Sequence, residues 1–349
     1  MKRKKIPKLL ISLGAIVLLL AAGEIGLRLF WEMSPSVKRS FYQRSRDPFI
    51  RYELIPNTVV DERIRINSGG FRGPEVSVEK PKGVFRILML GDSEIFSYLL
   101  PEDAPLPRQL EKLLNEKSHI LKYEVINAGV EGYNTLQELE VLKYKGLKYL
   151  PDLVILNYCL NDPEPGEYFF GDNFFARNSA TYRYFMNRVK KGLIKANRKK
   201  LGIKTEVDEF YYLHSGSRLR NVRNAIIEMA DILKKRNTKL MVNIFPTSSL
   251  SVKDFKENYP YRPLHALLKS IKDDNIVFVD QIDEFNRLNM TPQSVSINYQ
   301  YNESHKNAAA SAVMAEYLYK VMRENQIIRD GSDLTVGSIP NSSVGTVLN

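Results

Sequence analysis

Short apolar runs alternate with longer amphipathic segments between residues 84 and 329 of this 349-residue chain. Apolar runs of four to eight residues between turn signals are typical of strands that are covered on both faces. The runs at 84–90, 123–127, 153–159, 239–245 and 276–280 therefore predict a five-stranded sheet.

Helical spacing of apolar residues separates these runs. It predicts helices at 107–116, 135–150, 219–236 and 307–323. Alternating strands and helices favour an α/β fold with a mostly parallel sheet and helices on both faces. Residues 164–216 break the alternation with an aromatic and then a basic helical stretch, and we interpret them as an insertion that caps the site.

The two flanks of this domain have a different pattern. Residues 32–83 are mixed and rich in turn residues, especially at 67–74, which predicts an irregular N-terminal extension. Residues 330–349 are polar and rich in Ser and Gly, which predicts a disordered tail.

Residues 9–23 form an apolar stretch without charges, behind the basic residues 2–5. As a helix this stretch spans only ~22 Å, whereas extension to Trp31 gives ~34 Å, enough for a hydrocarbon core of ~30 Å. Glu24 and Arg28 stand four residues apart and can neutralise each other on such a helix. We therefore expect residues 1–31 to form a transmembrane anchor with a cytoplasmic N-terminus. A cleaved signal peptide is the alternative, and either one exports the catalytic domain.

The formal net charge is +11, and five of the positive residues lie within the first eight positions. A second basic cluster at 188–204 is either a solvated helix face or a contact with a membrane surface or an anionic polymer. Nucleic acid is not an expected partner, since no nucleic-acid motif accompanies the cluster. The only cysteine, Cys159, cannot form an internal disulfide, and we expect neither a metal nor a cofactor.

Four residues of catalytic type stand at loops where sites form in a parallel sheet, at the carboxyl ends of strands. Ser93 follows the first strand, Gly132 stands in a glycine-rich turn after the second, and Asn161 follows the third. His305 precedes the last helix. Taken singly, each is an ordinary turn or helix-cap residue.

Together the four residues fit nucleophilic acyl chemistry. Ser93 would attack an acyl carbon while His305 takes its proton as general base. The backbone N–H groups of Ser93 and Gly132, with the amide of Asn161, would form the oxyanion hole.

The segments around these residues resemble the four blocks of the SGNH/GDSL hydrolase family, in the same order. Gly91-Asp92-Ser93 resembles the first block, Gly132 the second, Asn161 the third and His305 the fourth. The resemblance covers residues 84–325, and the N-terminal anchor is similar to that of exported bacterial members. It implies a flavodoxin-like three-layer α/β/α sandwich with esterase, lipase, thioesterase or acyltransferase activity.

Three positions depart from the family pattern. Glu94 follows the serine where small or apolar residues are usual, and Cys159 stands where the third block often has glycine. Asn302 occupies the usual position of the triad aspartate, three residues before His305. Asparagine can orient an imidazole but cannot stabilise its charge, so Glu303 is the candidate acid, and a Ser–His dyad is the alternative.

The sequence therefore favours a membrane-anchored serine esterase that acts on an acyl ester outside the cytoplasm. An O-acetyl group on a cell-envelope polysaccharide is the implied substrate. Acyl transfer to such a polymer uses the same acyl-enzyme and is the first alternative. A binding or scaffold protein with weakened chemistry is the second, because of Asn302.

Overall fold

The computed structural model describes residues 8–30, 41–60, 63–164, 175, 178–301 and 303–328. The first element is a long helix, α1 (Lys8–Phe30). Its segment Ser12–Phe30 is the one helix in the described part of the chain that is long and apolar enough to cross a membrane. Most of its apolar side chains from Leu13 onward, such as Leu18 and Leu19, are exposed.

A parallel five-stranded sheet forms the centre of the molecule. Its strands have the spatial order β6-β5-β7-β8-β9, and all four neighbouring pairs are parallel. This is the flavodoxin-like order of a doubly wound sheet, and it confirms the predicted fold class. The strands are β5 (Val84–Gly91), β6 (Lys122–Gly129), β7 (Leu153–Tyr158), β8 (Lys239–Ile244) and β9 (Ile276–Asp280).

Helices cover the sheet in two packed groups. The helices of the body are α2 (Ser93–Phe96), α3 (Leu106–Lys117), α4 (Thr135–Val141), α5 (Ala180–Lys200), α6 (Glu206–Leu213), α7 (Gly216–Lys234), α8 (Arg262–Lys269), α9 (Gln281–Arg287), α10 (Pro292–Val295) and α11 (Ala308–Glu324). Helix α11 packs against α3 and α9, whereas α4 packs against α7. Right-handed crossovers in this strand order bring these groups to opposite faces, which gives three layers.

The second predicted helix differs from expectation in its last part. Residues 135–150 begin as α4 but continue as a π-helical turn (Leu142–Gly146) and a 3₁₀ turn (Leu147–Tyr149). A Cβ added at Gly146 would lie 2.5 Å from Leu88 Cδ2 of β5. The segment therefore presses directly on the sheet, and packing against β5 overrides regular helical geometry.

The N-terminal extension contains four short strands that the turn-rich pattern did not predict. Strands β1 (Tyr42–Arg44) and β2 (Tyr52–Leu54) form one antiparallel pair, and β3 (Thr58–Val60) and β4 (Ile64–Ile66) form another. Buried side chains of this extension belong to the same hydrophobic core as the sheet. Three-residue strands are too short to produce a recognisable alternation of apolar and polar positions.

A third short antiparallel pair precedes the last helix. Strands β10 (Ser296–Asn298) and β11 (Glu303–Lys306) pair antiparallel, with Ser296 opposite Lys306. The sequence pattern indicated only a loop there. This hairpin carries His305 to the carboxyl edge of the sheet.

Candidate active site

Ser93 lies where strand β5 turns sharply into the one-turn helix α2. Asp92 is the N-cap residue, and its side chain accepts a hydrogen bond from the Glu94 backbone N–H at 2.9 Å. A Cβ at Gly91 would lie 2.5 Å from Ile95 Cγ1, so only glycine permits this close return of the chain. The turn leaves the Ser93 side chain half-buried at the edge of the sheet.

His305 and Ser93 are brought together from opposite ends of the domain. The distance between His305 Nε2 and Ser93 Oγ is 2.8 Å, although 212 positions separate the residues. This is hydrogen-bond distance, which a general base and a serine nucleophile require.

Glu94 and Lys306, the next residues along the chain, form a second link between the same two segments. Lys306 donates its backbone N–H to Glu94 Oε2 at 2.9 Å and its ammonium to Glu94 Oε1 at 3.0 Å. The Lys306 side chain is 3% exposed and that of Glu94 12%. The carboxylate thus holds strand β11 against helix α2 beside the Ser93–His305 contact.

The ammonium of Lys306 has further acceptors in the loop after β8 and in β11. It donates to Ser248 Oγ and to the Ser304 carbonyl, both at 3.3 Å. Ser248 itself donates to the Ser304 carbonyl at 2.8 Å. A buried ammonium with three acceptors is fully hydrogen-bonded, which makes this ion pair tolerable in the interior.

Asn161, in the loop after β7, contacts the N-cap residue of α2. Its Nδ2 donates to Asp92 Oδ2 at 3.2 Å, which fixes the orientation of the amide at the cavity wall. Cys159, the second departure from the family pattern, directs its Sγ to Asp92 Oδ1 at 3.5 Å. Burial, followed by the Asp92 charge, raises the pKa of the Cys159 thiol well above its usual range, so it remains a thiol.

A buried acidic cluster lies behind the serine. Asp162 accepts hydrogen bonds from Thr135 Oγ1 at 2.6 Å and from the Cys159 N–H at 3.3 Å. Glu138 is fully buried, and neither of its carboxylate oxygens has a hydrogen-bond partner among the described residues. Burial raises the pKa of Asp92, Glu138 and Asp162, and their mutual repulsion raises it further in Glu138 and Asp162.

One possible metal-ligand atom on each of Asp92, Cys159 and Asp162 lies within 4.8 Å of the other two, a spacing that could hold a metal ion. Their surroundings suit hydrogen bonding better. Both carboxylates already accept hydrogen bonds from protein donors, and burial favours the protonated forms of all three groups. These buried groups therefore form a hydrogen-bonded support for the turn between β5 and α2.

A cavity of about 170 Å³ opens above Ser93 and His305, and Asn161 also lines it. Phe210 of the insertion and Phe245 after β8 form apolar parts of its wall. Larger surface clefts, of about 570 and 720 Å³, contain neither Ser93 nor His305.

Gly132 is not among the residues that line this cavity. It has a φ of 75° and occupies a turn closed by the hydrogen bond from Tyr133 N–H to the Val130 carbonyl. Its place in the oxyanion hole stays a prediction. Asn302 lies outside the described residues, and only the backbone of Glu303 is described, as the start of β11.

Arg72, in the N-terminal extension, contacts the end of helix α2 and the segment that follows it. Its buried guanidinium donates to the carbonyls of Phe96, Ser97 (2.6 Å) and Leu100 (2.7 Å). Ser97 ends α2 in the left-handed conformation, with φ 52°. Asn127 of β6 donates to the Ile95 carbonyl at 2.8 Å, and its backbone pairs with Arg72. The extension thus holds helix α2, a role that the sequence alone did not reveal.

Two other histidines have structural partners. His214 contacts the Tyr158 hydroxyl and the Phe210 carbonyl, each at 2.8 Å, and burial lowers its pKa to about 4. His265 Nδ1 lies 2.9 Å from Asp280 Oδ1, and both side chains are almost completely buried. Neither histidine lines the Ser93 cavity.

The chain matches no family model and no curated protein. Solved structures similar to it include a lipolytic protein of the G-D-S-L family from Desulfitobacterium hafniense, with 13% identity, a TM-score of 0.41 and coverage of 68% of this chain and 98% of the other. An acetylxylan esterase from Geobacillus stearothermophilus, in a catalytic mutant, has 14% identity, a TM-score of 0.42 and coverage of 68% and 94%. The acetyl xylan esterase AlAXEase has 15% identity, a TM-score of 0.43 and coverage of 68% and 98%. All three likenesses are distant, with TM-scores below 0.5.

Proposed function

We propose that this protein is a serine esterase of the SGNH/GDSL type. The contact of 2.8 Å between His305 Nε2 and Ser93 Oγ, in a cavity that Asn161 also lines, carries the proposal. Ser93 attacks the acyl carbon, and its proton passes to His305, which donates it to the departing alcohol as the ester bond breaks. Water, deprotonated by His305, then attacks the acyl-enzyme and releases the acid and free Ser93. One Asn161 N–H binds Asp92, and the second N–H of the same amide, with the Ser93 backbone N–H, stabilises the oxyanion.

A fluorophosphonate probe tests the nucleophile directly. Wild-type protein should be labelled at neutral pH, and Ser93→Ala should abolish labelling. Ser270→Ala is the matched control, since Ser270 is an exposed serine that does not line the cavity. Labelling that survives Ser93→Ala would place the nucleophile elsewhere. A folded wild-type protein that is not labelled would favour the binding or scaffold alternative.

The imidazolium that forms on His305 needs a partner that orients and stabilises it. We propose Glu303, because Asn302 cannot carry the negative charge that stabilises an imidazolium. Glu303→Gln should lower kcat more than Asn302→Ala. The reverse order would exclude Glu303 and leave Asn302 as the orienting group of a dyad.

The acyl group is small in this proposal. A cavity of about 170 Å³ is small beside common ligand pockets of ~300–1,000 Å³ and suits an acetyl group better than a long acyl chain. p-Nitrophenyl acetate should be cleaved with a much higher kcat/KM than p-nitrophenyl octanoate. Equal values would contradict the small-acyl assignment. Release of acetate without an added acceptor separates hydrolysis from transfer to a polysaccharide.

The site is proposed to lie outside the cytoplasm, on an anchor formed by α1. Most of the apolar surface of α1 from residue 12 to residue 30 is exposed, and a strongly basic segment precedes the apolar stretch. The positive-inside rule then gives a cytoplasmic N-terminus and an exported domain that reaches acetylated envelope polysaccharide. N-terminal sequencing of the mature protein checks this, since a new N-terminus near Glu24 would show a cleaved signal peptide instead.

A further inference from the structure

Helix α5 (Ala180–Lys200), in the insertion, combines strong basicity with an apolar stripe. Eight of its 21 residues are Lys or Arg, and none is Asp or Glu. Tyr182, Phe185, Val189 and Leu193 recur at spacings of three and four, so they share one face of the helix. A basic amphipathic helix of this composition is typical of a membrane surface.

Helix α5 is not packed against the protein between residues 191 and 197. Every residue from 191 to 197 is exposed, on all sides of the helix. On the apolar stripe, Phe185 is 62% exposed and Leu193 66%. Within the described residues, Phe185 and Leu193 of this stripe are thus open to solvent, whereas Val189 is half-buried and the Tyr182 ring lies 6.0 Å from that of Phe175.

The start of α5 is fixed to the last turns of α1. Glu24 accepts hydrogen bonds from Ser179 Oγ at 2.9 Å and from the backbone N–H groups of Ala180 (2.8 Å) and Thr181 (3.0 Å). Arg28 donates to the Asn178 carbonyl at 2.5 Å. Glu24 precedes the end of α1 by six residues, which is ~9 Å along a helix axis. Interfacial helices lie at a similar depth, ~5–10 Å into the boundary between headgroups and acyl chains.

We propose that α5 lies in the membrane interface on the side of the catalytic domain and binds anionic phospholipid headgroups. This inference rests on the proposed anchoring by α1. The stripe with Phe185 and Leu193 faces the acyl chains, and the lysines and arginines bind lipid phosphates. The hydrogen bonds between α1 and the start of α5, and the charge complementarity between α5 and anionic lipid, favour a membrane contact over a solvated helix face.

Such a contact also fixes the direction in which the active site faces. Arg198, near the end of α5, pairs with Glu209 of α6 at 3.0 Å. The next residue, Phe210, lines the cavity over Ser93. A membrane-bound α5 is therefore linked at one end to the anchor and at the other to the wall of the active site.

Site-specific fluorescence in proteoliposomes tests the proposal on the full-length protein. A polarity-sensitive fluorophore is attached at Leu193→Cys, with Leu18→Cys in the middle of α1 and Ile120→Cys on the catalytic domain as references. Leu18 is 72% and Ile120 55% exposed, so these sites accept the label as Leu193 does. Wild-type protein, whose single Cys159 is buried, gives the background. Vesicles of phosphatidylcholine alone are compared with vesicles that contain phosphatidylglycerol, each with nitroxide-labelled lipid as quencher.

The Leu193→Cys label should be blue-shifted and quenched in the phosphatidylglycerol vesicles, and less so in phosphatidylcholine. Lys191→Gln with Lys195→Gln should reduce this quenching without changing that of Leu18→Cys. Emission like that of Ile120→Cys, together with a quenched Leu18→Cys, would overturn the inference while leaving the anchor intact. An unquenched Leu18→Cys would contradict the anchor itself. A shift of Leu193→Cys only on addition of a soluble anionic polysaccharide would assign α5 to a polymer instead and also overturn the proposal.

Discussion

Glu94 and Lys306 each directly follow a proposed catalytic residue, and their buried ion pair joins the two segments that must meet for catalysis. Removing one partner of such a pair leaves the other charge buried and unpaired, which costs ~3–5 kcal/mol. The same loss would release strand β11, and with it His305, from helix α2. Glu94, which departs from the family pattern, thus acquires a positioning role.

Lys306→Met should therefore lower both the free energy of unfolding and kcat, the latter by about tenfold or more because small misplacements of reacting groups are costly. Adding Glu94→Gln should restore part of the stability but little of kcat, since the link is still absent. Denaturant unfolding and kcat measurements check both effects.

Lys320→Met is the matched control for this variant. Lys320 pairs with Glu324 at 3.9 Å, but both side chains are more than half exposed. Exposed pairs contribute only ~0–1 kcal/mol, so this change should leave activity and stability nearly unaffected. Equal effects of the two substitutions would contradict the positioning role.

Glu138 makes stability depend on pH in an unusual direction. Burial raises its pKa in the folded protein well above 4.5, so the folded state retains a proton that the unfolded chain releases. The contribution of Glu138 to the free energy of unfolding is therefore most favourable below pH 4.5. It declines as the pH rises towards the folded-state pKa, by up to ~1.4 kcal/mol per pH unit.

Glu138→Gln removes this titration while keeping the shape of the side chain. The difference in stability between the variant and wild type should favour the variant more at pH 8 than at pH 5. Paired thermal melts of both proteins at these two pH values measure it. Glu116→Gln, on an exposed face of α3, supplies the control. A pH-independent difference would show that Glu138 does not hold an extra proton in the folded state.

Candidate site residues could be predicted from the sequence where they lie in loops next to clearly predicted strands or helices. Ser93, Asn161 and His305 met this condition, and the structure places all three around one cavity. The Glu94–Lys306 pair could not be found, because it joins positions 212 residues apart and neither residue has a local signature. Three-dimensional packing alone creates such contacts.

Among secondary-structure elements, the sequence predicted the buried strands of the sheet but not the shortest strands and helices. The five strands of the sheet are apolar runs, and all five were predicted. Strands β1 to β4 have three residues each, and helices α8 to α10 have four to eight, too few for a clear period. Their formation depends on contacts with the sheet and the core.

The loop that contains Arg72 shows what such short elements contribute. Arg72→Lys keeps the charge but loses the planar fork that reaches three carbonyls, at an expected cost of roughly 2–4 kcal/mol. Since those carbonyls belong to helix α2 and the segment after it, kcat should fall as well. Arg65→Lys, on the exposed side of β4, is the control. An unchanged kcat in Arg72→Lys would mean that α2 holds its geometry without the extension.

At the scale of the whole molecule, the N-terminal extension and the sheet form one folding unit. Phe41 stacks on Phe96 with ring centroids 5.7 Å apart, and the Tyr133 hydroxyl donates to the Tyr52 carbonyl. A chain that begins at residue 41 should therefore fold and react with the fluorophosphonate probe. One that begins at residue 84, the start of the first predicted strand, should be unstable or aggregate, as circular dichroism and size-exclusion chromatography would show. A stable, reactive shorter chain would contradict this unity.

The ion pair between Glu94 and Lys306 also has a consequence for how such sequences diverge. Loss of either partner alone is strongly unfavourable for stability, whereas joint replacement by two uncharged residues can be nearly neutral for stability. Across related proteins, the positions immediately after the serine and the histidine should therefore change together. Paired substitution at these two alignment columns would mark the proteins that hold their catalytic histidine in this way, even where overall similarity is too low to group them.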